Sequence, residues 1–528
     1  MDELKIVMFM CNWGPHAAFQ QLQDEAADLP AAVRMVRIPC TGRISKSLLF
    51  KAFEMGADGV ALVGCEAGSC RYGSGTANAA NNVEDARGIL ELLGLGQDRL
   101  CWATFLPEQA AEMLAFLNTF KDQIARLGPN PIATAARATA AQPALGNLLR
   151  VHNVYACQDC GKCTSACPLS LVGKTFSPRA LAGTVIAGTE PTSAAAADIW
   201  SCLTCGLCYD RCPSAVDFPA FIRGLRQAGT GDGREPALAH DGFFQSLMRA
   251  MATPALSGRH WDWLPDGLQL DPRGKVLFFG GCAPYFDTFF GHHLQVRTRD
   301  ILVDALRLLN FFDIAPALLE HERCCGHDLL WTGDEANFKR LARLNLEAIN
   351  DSGAEQVITA CPECYRTLAH DYPAHGFKLR PTVRHLFDLL DQEIDKGAVK
   401  FAPLHRPATY QDPCRLSRLG GDQLDGVKLP RRLIRRLQLD GFTEMADFGS
   451  SSLCCGNCAW TACDSFNKAL QMKRLRQARA GGSKLLLTAC PKCQIHLSCA
   501  MQDPFEGKDV ELEMMDLTTA IARTIEWA

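Results

Sequence analysis

The chain has 528 residues, a formal net charge of −4, a hydrophobic content of 48% and a charged content of 21%. These values are typical of a globular protein with several domains, and they give no reason to expect nucleic acid as a partner. No apolar run is long enough to span a membrane, and the N-terminus lacks the pattern of a secretion signal, so we expect a cytoplasmic protein. The presence of 26 cysteines has to be explained, either by disulfides or by bound metal. In a reducing compartment, cysteines at short fixed spacings indicate metal ligands rather than disulfides.

Residues 1–126 alternate apolar runs of strand length with amphipathic segments of helical length. Strands are predicted at 5–10, 33–38, 59–64 and 100–105, and helices at 19–29, 45–55, 79–93 and 108–120. This alternation predicts a flavodoxin-like parallel sheet that is covered by helices on both faces. Ligands of such sheets bind beyond the carboxyl ends of the strands.

Four cysteines fall at those strand ends: Cys11, Cys40, Cys65 and Cys70. Four thiolates at one edge of a sheet suit a 2Fe–2S cluster. The alternative is that each is a small buried residue at a strand end, and that reading would be preferred for one cysteine alone. Cys101 opens its strand at the opposite edge and is expected to be structural.

The same stretch resembles the delta subunit of methyl-viologen-reducing hydrogenase over nearly its whole length. The matching text includes Cys11-Asn12-Trp13, Cys40-Thr41-Gly42-Arg43-Ile44, Gly56-Ala57-Asp58-Gly59-Val60 and the segment from Cys65 to Tyr72. The resemblance implies a 2Fe–2S cluster and docking onto a flavin subunit. Family members often carry more cysteines around the first strand, so the four present here leave none spare.

A stretch rich in Ala, Pro and Gly at 127–150 is predicted as a linker, and it precedes a domain at 151–228. That domain holds two copies of the pattern Cys-x-x-Cys-x-x-Cys-x-x-x-Cys-Pro. This is the signature of two-cluster ferredoxins, in which the fourth cysteine of each copy ligates the other cluster. Two complete copies argue against a zinc site. We assign one cubane 4Fe–4S cluster to Cys157, Cys160, Cys163 and Cys212, and the other to Cys202, Cys205, Cys208 and Cys167.

The spacer between the two ferredoxin motifs is longer than a minimal ferredoxin needs. Its segments 178–182 and 194–200 are predicted to be helical. In this respect the domain resembles the α-helical two-cluster ferredoxin modules found in the C subunit of heterodisulfide reductase and in the iron–sulfur subunits of succinate dehydrogenase. A second linker is predicted at 229–272.

Residues 273–400 and 401–528 then repeat one cysteine pattern. The first copy has Cys282, Cys324-Cys325-Gly326 and Cys361-Pro-Glu-Cys364, and the second has Cys414, Cys454-Cys455-Gly456 and Cys490-Pro-Lys-Cys493. Each copy delivers its cysteines from the ends of predicted buried strands, which predicts two pseudo-symmetric α/β modules. Five cysteines per copy is one more than a tetrahedral site needs.

This repeat is the pattern called the CCG domain, and the segment resembles the B subunit of heterodisulfide reductase. The resemblance implies a noncubane 4Fe–4S cluster in each copy, with a disulfide cleaved between the two clusters. It thereby implies ten catalytic and metal-binding cysteines: Cys282, Cys324, Cys325, Cys361, Cys364, Cys414, Cys454, Cys455, Cys490 and Cys493. Some relatives, such as glycolate oxidase iron–sulfur subunits, act with other substrates, so the resemblance does not identify the substrate of this chain.

Several other side chains near the cysteine motifs carry weaker expectations. His321, His327 and His496 could donate protons to product thiols, although hydrogen bonding to a cluster or to backbone is the favoured interpretation. Cys458, Cys463 and Cys499 fall outside the repeat and are expected to be packing residues. The basic stretch Arg431, Arg432, Arg435 and Arg436 is interpreted as a solvated helix face, with docking of an acidic carrier as the less favoured alternative.

The chain is therefore interpreted as a fusion in which electrons pass between a 2Fe–2S entry site, two cubanes and a noncubane cluster pair that reduces a disulfide. No nucleotide motif is convincing, so FAD is expected only in a partner flavoprotein that resembles the A subunit of heterodisulfide reductase, where flavin-based electron bifurcation would occur. A hydrogenase, formate dehydrogenase or other reductase is a further expected partner. Two alternatives stay open: an electron-transfer subunit that feeds another reductase without a disulfide substrate, and a quinone-linked CCG subunit.

Overall fold

The computed structural model describes residues 4–132, 143–188, 198–229, 238–294, 296–397, 399–421 and 423–527. Parts of both predicted linkers and most of the predicted helical stretch 194–200 lie outside these residues. The chain divides into two compact units. The first comprises residues 1–136, 240–262 and 288–293, and the second comprises residues 137–239, 263–287 and 294–528. Among the described helices, none combines the length and apolarity that crossing a bilayer requires.

The first unit is built on a four-stranded parallel sheet. Its strands are β1 (Ile6–Cys11), β2 (Val33–Ile38), β3 (Gly59–Gly64) and β4 (Leu100–Thr104), in the spatial order β2-β1-β3-β4. Strand β3 is buried along its whole length, as a central parallel strand should be. Edge strand β2 is exposed or half-buried throughout.

Helices cover the sheet of the first unit, and they are Gly14–Asp24, Lys46–Glu54, Gly75–Leu92 and Ala110–Leu127. The first begins earlier than predicted because Pro15, whose fixed φ suits a first turn, opens the helix. A further helix, Phe243–Met251, comes from the predicted second linker and packs on Lys46–Glu54. The ring centroids of Phe50 and Phe243 lie 5.4 Å apart, and Arg249 Nε donates to Glu54 Oε1 at 2.6 Å.

The second unit begins with the short helices that surround the ferredoxin motifs. They are Leu145–Val151, Lys162–Ala166, Pro168–Leu171, Pro178–Ile186, Leu207–Asp210 and Phe218–Gly229. Two of them start after glycines with positive φ, Gly161 at +79° and Gly206 at +83°, a left-handed conformation that glycine adopts without strain. Each of these glycines directly follows the second cysteine of its motif, so the chain turns sharply between the second and third thiols.

Two parallel sheets form the rest of the second unit, one for each copy of the repeat. The first has the order β5-β6-β7, from Val276–Phe278, Gln356–Thr359 and Thr382–His385. The second has the order β11-β10-β8-β9, from Glu513–Asp516, Leu485–Thr488, Leu404–Tyr410 and Leu439–Phe442. A parallel bridge between Leu277 and Ala317 occupies in the first copy the place of β9 in the second. The multidomain α/β fold with two equivalent parallel modules is therefore confirmed.

Helices connect these strands in both copies. They are Ala283–Leu294, Thr298–Phe311, His327–Trp331, Glu335–Asp351, Pro362–Arg366, Tyr372–Ala374, Leu386–Lys396, Cys414–Ser417, Lys428–Ile434, Ser465–Ala480, Pro491–Met501 and Leu517–Thr524. In both copies a proline occupies the first turn of the helix after the last strand-end cysteine, where its missing N–H costs nothing. That proline sets the Cys-Pro-x-Cys loop at the carboxyl end of β6 or β10.

Candidate iron–sulfur cluster sites

The four strand-end cysteines of the first unit meet at one edge of its sheet. Cys11 Sγ lies 3.5 Å from Cys65 Sγ, well beyond the length of a disulfide bond. A Cβ atom on Gly75 would lie 2.7 Å from Cys40 Sγ and 2.8 Å from Cys70 Sγ, so glycine leaves the space that these thiols occupy.

The electrostatics of this edge differ from one thiol to the next. Burial raises the pKa of Cys65 to about 12 and also raises the pKa of Cys40. Burial also acts against the Cys70 thiolate, but the backbone N–H groups of Tyr72, Gly75 and Thr76 lower its pKa overall. Gly75 starts helix Gly75–Leu92, so the helix N-terminus adds to this stabilisation of negative charge. The set of sulfur donors, with glycine beside them, fits an iron–sulfur cluster.

The ferredoxin cysteines gather in two groups. One small cavity is lined by four thiols that the sequence assigns to one cubane, together with Cys208. Those four are Cys157, Cys160, Cys163 and Cys212. In the second group, burial raises the pKa of Cys208 well above its usual value, and the thiols of Cys202, Cys205, Cys167 and Cys163 lie close enough to raise it further. Each group includes the fourth cysteine of the opposite motif, but each also includes a cysteine assigned to the other cubane, Cys208 in the first and Cys163 in the second, so the crossed assignment stays a prediction.

In the first copy of the repeat, the five thiols form a continuous chain of side-chain contacts. Cys324 contacts Cys282 and Cys325, and Cys364 contacts Cys325 and Cys361. A Cβ atom on Gly281, whose φ is +69°, would lie 2.6 Å from Cys364 Sγ. Glycine at position 281 therefore leaves space for the Cys364 thiol, and the sulfur donors of this set suit an iron–sulfur cluster.

The second copy repeats this chain of contacts. Cys454 contacts Cys414 and Cys455, and Cys493 contacts Cys455 and Cys490. Hydrogen bonds from Cys454 and Cys493 lower the pKa of Cys455 to about 6. In both copies the glycine after the paired cysteines has a positive φ, +86° at Gly326 and +103° at Gly456, which explains why Cys-Cys-Gly is the repeated unit.

A buried ion-pair network joins the two copies. Lys492, inside the Cys-Pro-x-Cys loop of the second copy, donates to Asp328 and lies 2.6 Å from Glu363 Oε2. Glu363 occupies the equivalent position in the first copy. The Lys492 side chain is 6% exposed, and those of Asp328 and Glu363 are 3% and 13% exposed. Burial acts against both charges, but Lys492 and His327 lower the pKa of Asp328, so the pair remains ionised.

Arg415 extends this network toward the ferredoxin domain. Its Nε donates to His327 Nε2 at 2.9 Å, and its Nη1 donates to the carbonyl of Thr204 at 2.6 Å. Thr204 lies between the ligand candidates Cys202 and Cys205. Arg415 Nη2 and the Thr204 hydroxyl each lie 3.0 Å from Cys458 Sγ, so Cys458 has polar partners beyond the expected packing role.

The histidines have hydrogen-bonding roles in the structure. Because Arg415 donates to His327 Nε2, the proton of His327 is on Nδ1, which donates to Asp328 Oδ1 at 2.7 Å. His496 Nδ1 lies 3.4 Å from Cys455 Sγ, and burial lowers the pKa of His496 to about 3. His321 is exposed. Neutral His496 therefore supports the hydrogen-bonding interpretation rather than the proton-donor one.

Most arginines of the basic stretch 431–436 form ion pairs within the chain. Arg431 pairs with Asp412 at 2.7 Å and with Glu444 at 2.6 Å. Arg432 pairs with Asp391, and Arg436 pairs with Asp395. These contacts favour a structural role for the stretch over docking of an acidic carrier.

The sequence interpretation missed Lys492, Glu363, Asp328 and Arg415. One signal was present, because the variable position of Cys-Pro-x-Cys is Glu in one copy and Lys in the other. Opposite charges at equivalent positions of two facing modules indicate an ion pair between them. Arg415 gave no comparable signal, since its partners lie far away in the sequence.

Comparisons with known proteins agree with this architecture. Residues 6–128 match the family model of the methyl-viologen-reducing hydrogenase delta subunit, whereas residues 153–216 match a 4Fe-4S dicluster domain. Residues 276–369 and 408–498 each match the cysteine-rich CCG domain. The three family models thus match the three types of domain that the sequence predicts.

Individual relatives cover different parts of the chain. The D subunit of dihydromethanophenazine:CoB--CoM heterodisulfide reductase from Methanosarcina barkeri is 29% identical over 244 residues, which are 45% of this chain and 56% of the relative. The B subunit of fumarate reductase (CoM/CoB) from Methanothermobacter marburgensis is 27% identical over 253 residues, 47% of each chain. The chain thus spans about half the length of these relatives. The iron-sulfur D subunit of the F420-non-reducing hydrogenase vhu from Methanocaldococcus jannaschii is 33% identical over 127 residues, which are 24% of this chain and 95% of the relative.

These matches define the class first: the chain combines domains that recur in iron–sulfur subunits of oxidoreductases. Through its first 128 residues the chain belongs to the family of methyl-viologen-reducing hydrogenase delta subunits. That domain is fused to a two-cluster ferredoxin module and to paired CCG domains related to those of heterodisulfide reductases. The fusion that the sequence motifs predicted is confirmed.

Proposed function

We propose that this chain is the electron-transfer and disulfide-reducing subunit of a heterodisulfide reductase-like complex. The observation that carries the proposal is the pair of complete five-thiol sets whose Cys-Pro-x-Cys loops meet through Lys492 and Glu363. A disulfide takes up two electrons and two protons to give two thiols. Two one-electron centres on opposite sides of one substrate suit that stoichiometry.

The ligand sets follow the contacts among the thiols. Cys11, Cys40, Cys65 and Cys70 would hold a 2Fe–2S cluster, and the two crossed ferredoxin groups would hold cubane 4Fe–4S clusters. Each five-thiol set would hold a noncubane 4Fe–4S cluster. When bound, these clusters supply one-electron carriers with potentials that nearby charges and hydrogen bonds adjust. Binding of iron also displaces the protons that burial keeps on the thiols.

Contacts in the second unit support a definite order of electron carriers. The thiols of Cys208 and Cys163, from different ferredoxin groups, lie close enough to affect each other. Burial raises the pKa of Cys205, and Cys414 of the second CCG copy is among the groups that raise it further. Across the two copies, the Cys361 thiol lies close enough to Cys490 to raise its pKa. The proposed path therefore runs from one cubane to the other, then to the second CCG copy, and then to the first.

The charged side chains distinguish the two CCG copies. Arg415 and Arg418 lie close enough to Cys414 to favour its thiolate, and Arg474 lies near Cys493. The first copy has the Asp328 carboxylate close to Cys282 and Cys324, and the Lys492 ammonium that pairs with it acts on Cys282 in the opposite direction. Cations near the second copy favour the reduced, more negative state of a centre bound there. This distribution would draw electrons from the ferredoxin domain to the second copy before the first.

The partner is proposed to be a flavoprotein that resembles the A subunit of heterodisulfide reductase, because the described residues contain no recognisable flavin site. FAD would then be bound only by that partner. A hydrogenase, formate dehydrogenase or other reductase would complete the complex. The heterodisulfide reductase and hydrogenase relatives support an assembly of this kind, since their names describe them as subunits.

The test is disulfide turnover by the anoxically purified chain, with electrons from a reduced viologen dye. Wild type should release two thiols for every disulfide consumed. Cys325→Ser and Cys455→Ser should each abolish turnover, while the EPR signals of the 2Fe–2S and cubane clusters persist. Cys499→Ser, which changes a cysteine outside every proposed ligand set, serves as the matched control and should retain turnover. Full activity in both ligand variants would overturn the proposal.

A second candidate function is electron delivery to another reductase without a disulfide substrate. The relative from fumarate reductase (CoM/CoB) favours it, because that protein's name links a related chain to a second kind of reductase. Under this alternative, the chain would be reduced and reoxidised by a partner enzyme while releasing no thiols from a disulfide. Thiol counting in the same assay therefore separates the two candidates.

A further inference from the structure

An exposed group of large side chains surrounds the strand-end thiols of the first unit. We define it as the rim patch: Trp13, Arg37, Arg43, Arg71 and Tyr72. Trp13 is 36% exposed and Tyr72 is 56% exposed, which is unusual for aromatic side chains. The Arg71 guanidinium lies 4.1 Å from the centre of the Trp13 ring, so the two side chains form a stacked pair at the surface.

The rim patch lies beside three of the four thiols, Cys11, Cys40 and Cys70, along the chain. Arg71 and Tyr72 follow Cys70, and Trp13 follows Cys11 by two positions. The Arg43 N–H donates to the Cys40 carbonyl at 3.0 Å. Cys70 is half-buried, so the proposed 2Fe–2S site reaches the surface where the patch lies.

Contacts also connect the patch to edge strand β2. Arg37, near the end of that strand, has its Nη1 3.2 Å from His16 Nε2. The backbone N–H of His16 donates to the Trp13 carbonyl at 3.0 Å. Contacts therefore link Trp13, Arg37 and Arg71, while Arg43 and Tyr72 lie exposed next to the cysteine segments.

The charged side chains of the three segments that carry the patch are all positive, although Glu66 and the exposed Glu108, in the loop beside Gly14, lie near this edge. The segments 11–16, 37–44 and 67–74 contain three arginines and no aspartate or glutamate, although the whole chain has a net charge of −4. The carboxylate nearest in sequence, Glu66, accepts from the Thr104 hydroxyl at 2.8 Å. A positive surface on an acidic chain attracts negatively charged partners and steers them to itself.

We propose that the rim patch is the docking surface for an acidic, electron-carrying protein domain of the ferredoxin class. The proposal rests on the proposed role of the 2Fe–2S site as the entry point for electrons. The stacked Trp13 and Arg71 have the composition of interface anchor residues, since tryptophan and arginine are enriched among residues that dominate binding energy. The three arginines supply charge complementarity to an acidic partner. Docking here places the partner's redox centre beside the thiols.

The experiment uses the full chain with all its clusters and a reduced, acidic bacterial two-cluster ferredoxin as the probe. Stopped-flow absorbance follows electron transfer to the chain at low and high ionic strength. The triple variant Arg37→Glu, Arg43→Glu and Arg71→Glu should lower the second-order rate constant by about tenfold or more at low salt and weaken its salt dependence. Trp13→Ala should lower the rate at both salt concentrations, because it removes an anchor rather than a charge.

Arg126→Glu is the matched control. Arg126 is exposed near the end of helix Ala110–Leu127, outside the rim segments, and its replacement should leave the rate within about twofold of wild type. Loading of the 2Fe–2S cluster in every variant is checked by EPR after photoreduction with a neutral deazaflavin, which needs no docking protein. Disulfide turnover driven by that photoreduction tests the proposed function separately, and it should be unchanged in the rim variants.

Three outcomes would overturn the proposal. The first is a triple variant with normal cluster content and a rate within twofold of wild type. The second is an equal loss of rate in the Arg126 control, which would show a general effect of net charge. The third is a wild-type dimer in light scattering that the rim substitutions dissociate, since the patch would then be an interface between copies of this chain.

Discussion

Replacement of Lys492 by Met tests whether the ion-pair network holds the two CCG copies together. The substitution keeps an unbranched side chain that is one atom shorter and removes the buried ammonium. The carboxylates of Asp328 and Glu363 would then share a buried space with His327 as their remaining partner near the loop. Both carboxylate side chains are almost fully buried, at 3% and 13% exposed, so water cannot replace the lost cation.

The size of the effect follows from this burial. Removing one partner from a buried pair costs about 3–5 kcal/mol, because the other charge is left uncompensated. Since about 1.4 kcal/mol corresponds to a factor of ten, local opening should become roughly a hundredfold to several thousandfold more frequent. An exposed pair provides the contrast. Arg476 and Glu506 are 59% and 55% exposed, and Arg476→Met should cost less than about 1 kcal/mol.

Hydrogen exchange read by mass spectrometry is the suitable assay, because it reports local opening without requiring reversible unfolding of a multi-cluster protein. Amides of the helices His327–Trp331 and Pro362–Arg366 should exchange much faster in Lys492→Met than in wild type. Neutralising the carboxylates as well, in Lys492→Met with Asp328→Asn and Glu363→Gln, should restore most of the protection. If these amides exchange at the same rate in Lys492→Met as in Arg476→Met, the buried ion pair does not stabilise the contact between the two CCG copies.

Two other perturbations test the thiol sites and the buried charges. Gly281→Ala should lower the iron content by about four atoms, because its Cβ would meet Cys364 Sγ at 2.6 Å, whereas Gly291→Ala meets no atom within 4 Å and should retain all iron. Iron analysis with normal content in Gly281→Ala would contradict the assigned site. Burial raises the pKa of Asp516 to about 7, above the value of about 3.9 in an unfolded chain, so folding is penalised as the pH rises from about 4 through 7. Asp516→Asn, which keeps a good helix cap, should therefore slow hydrogen exchange of helix Leu517–Thr524 relative to wild type above pH 7 and change it little near pH 4, and the reverse pattern would contradict that assignment.

The cluster motifs and the parallel sheets could be predicted because both are local in the sequence. The spacing of the ferredoxin cysteines is fixed by the loop that must wrap one cluster. The strands β1, β2 and β3 are short apolar runs bounded by turns, and their observed limits differ from the predicted ones by at most one residue. The cysteines at their ends converge because parallel strands end at one edge of a sheet.

The features that could not be predicted from the sequence depend on contacts between distant parts of the chain. Helix Phe243–Met251 was interpreted as part of a linker, because its partner helix Lys46–Glu54 lies about two hundred residues earlier in the sequence. Arg415 follows a cysteine motif, yet its contacts with His327 and Thr204 arise only when three segments fold together. Lys492 and Glu363 were visible as opposite charges at matching positions, but their pairing required the two modules to face each other.

The iron content of the chain tests most simply whether every thiol set holds its cluster, which the proposed electron path requires. After anoxic purification and cluster loading, we predict about 18 iron atoms per chain, from one 2Fe–2S cluster and four 4Fe–4S clusters. A value near 10 iron atoms would mean that the 2Fe–2S and cubane sites are filled while the CCG copies are empty. That result would contradict the claim that the paired five-thiol sets are the terminus of the electron path.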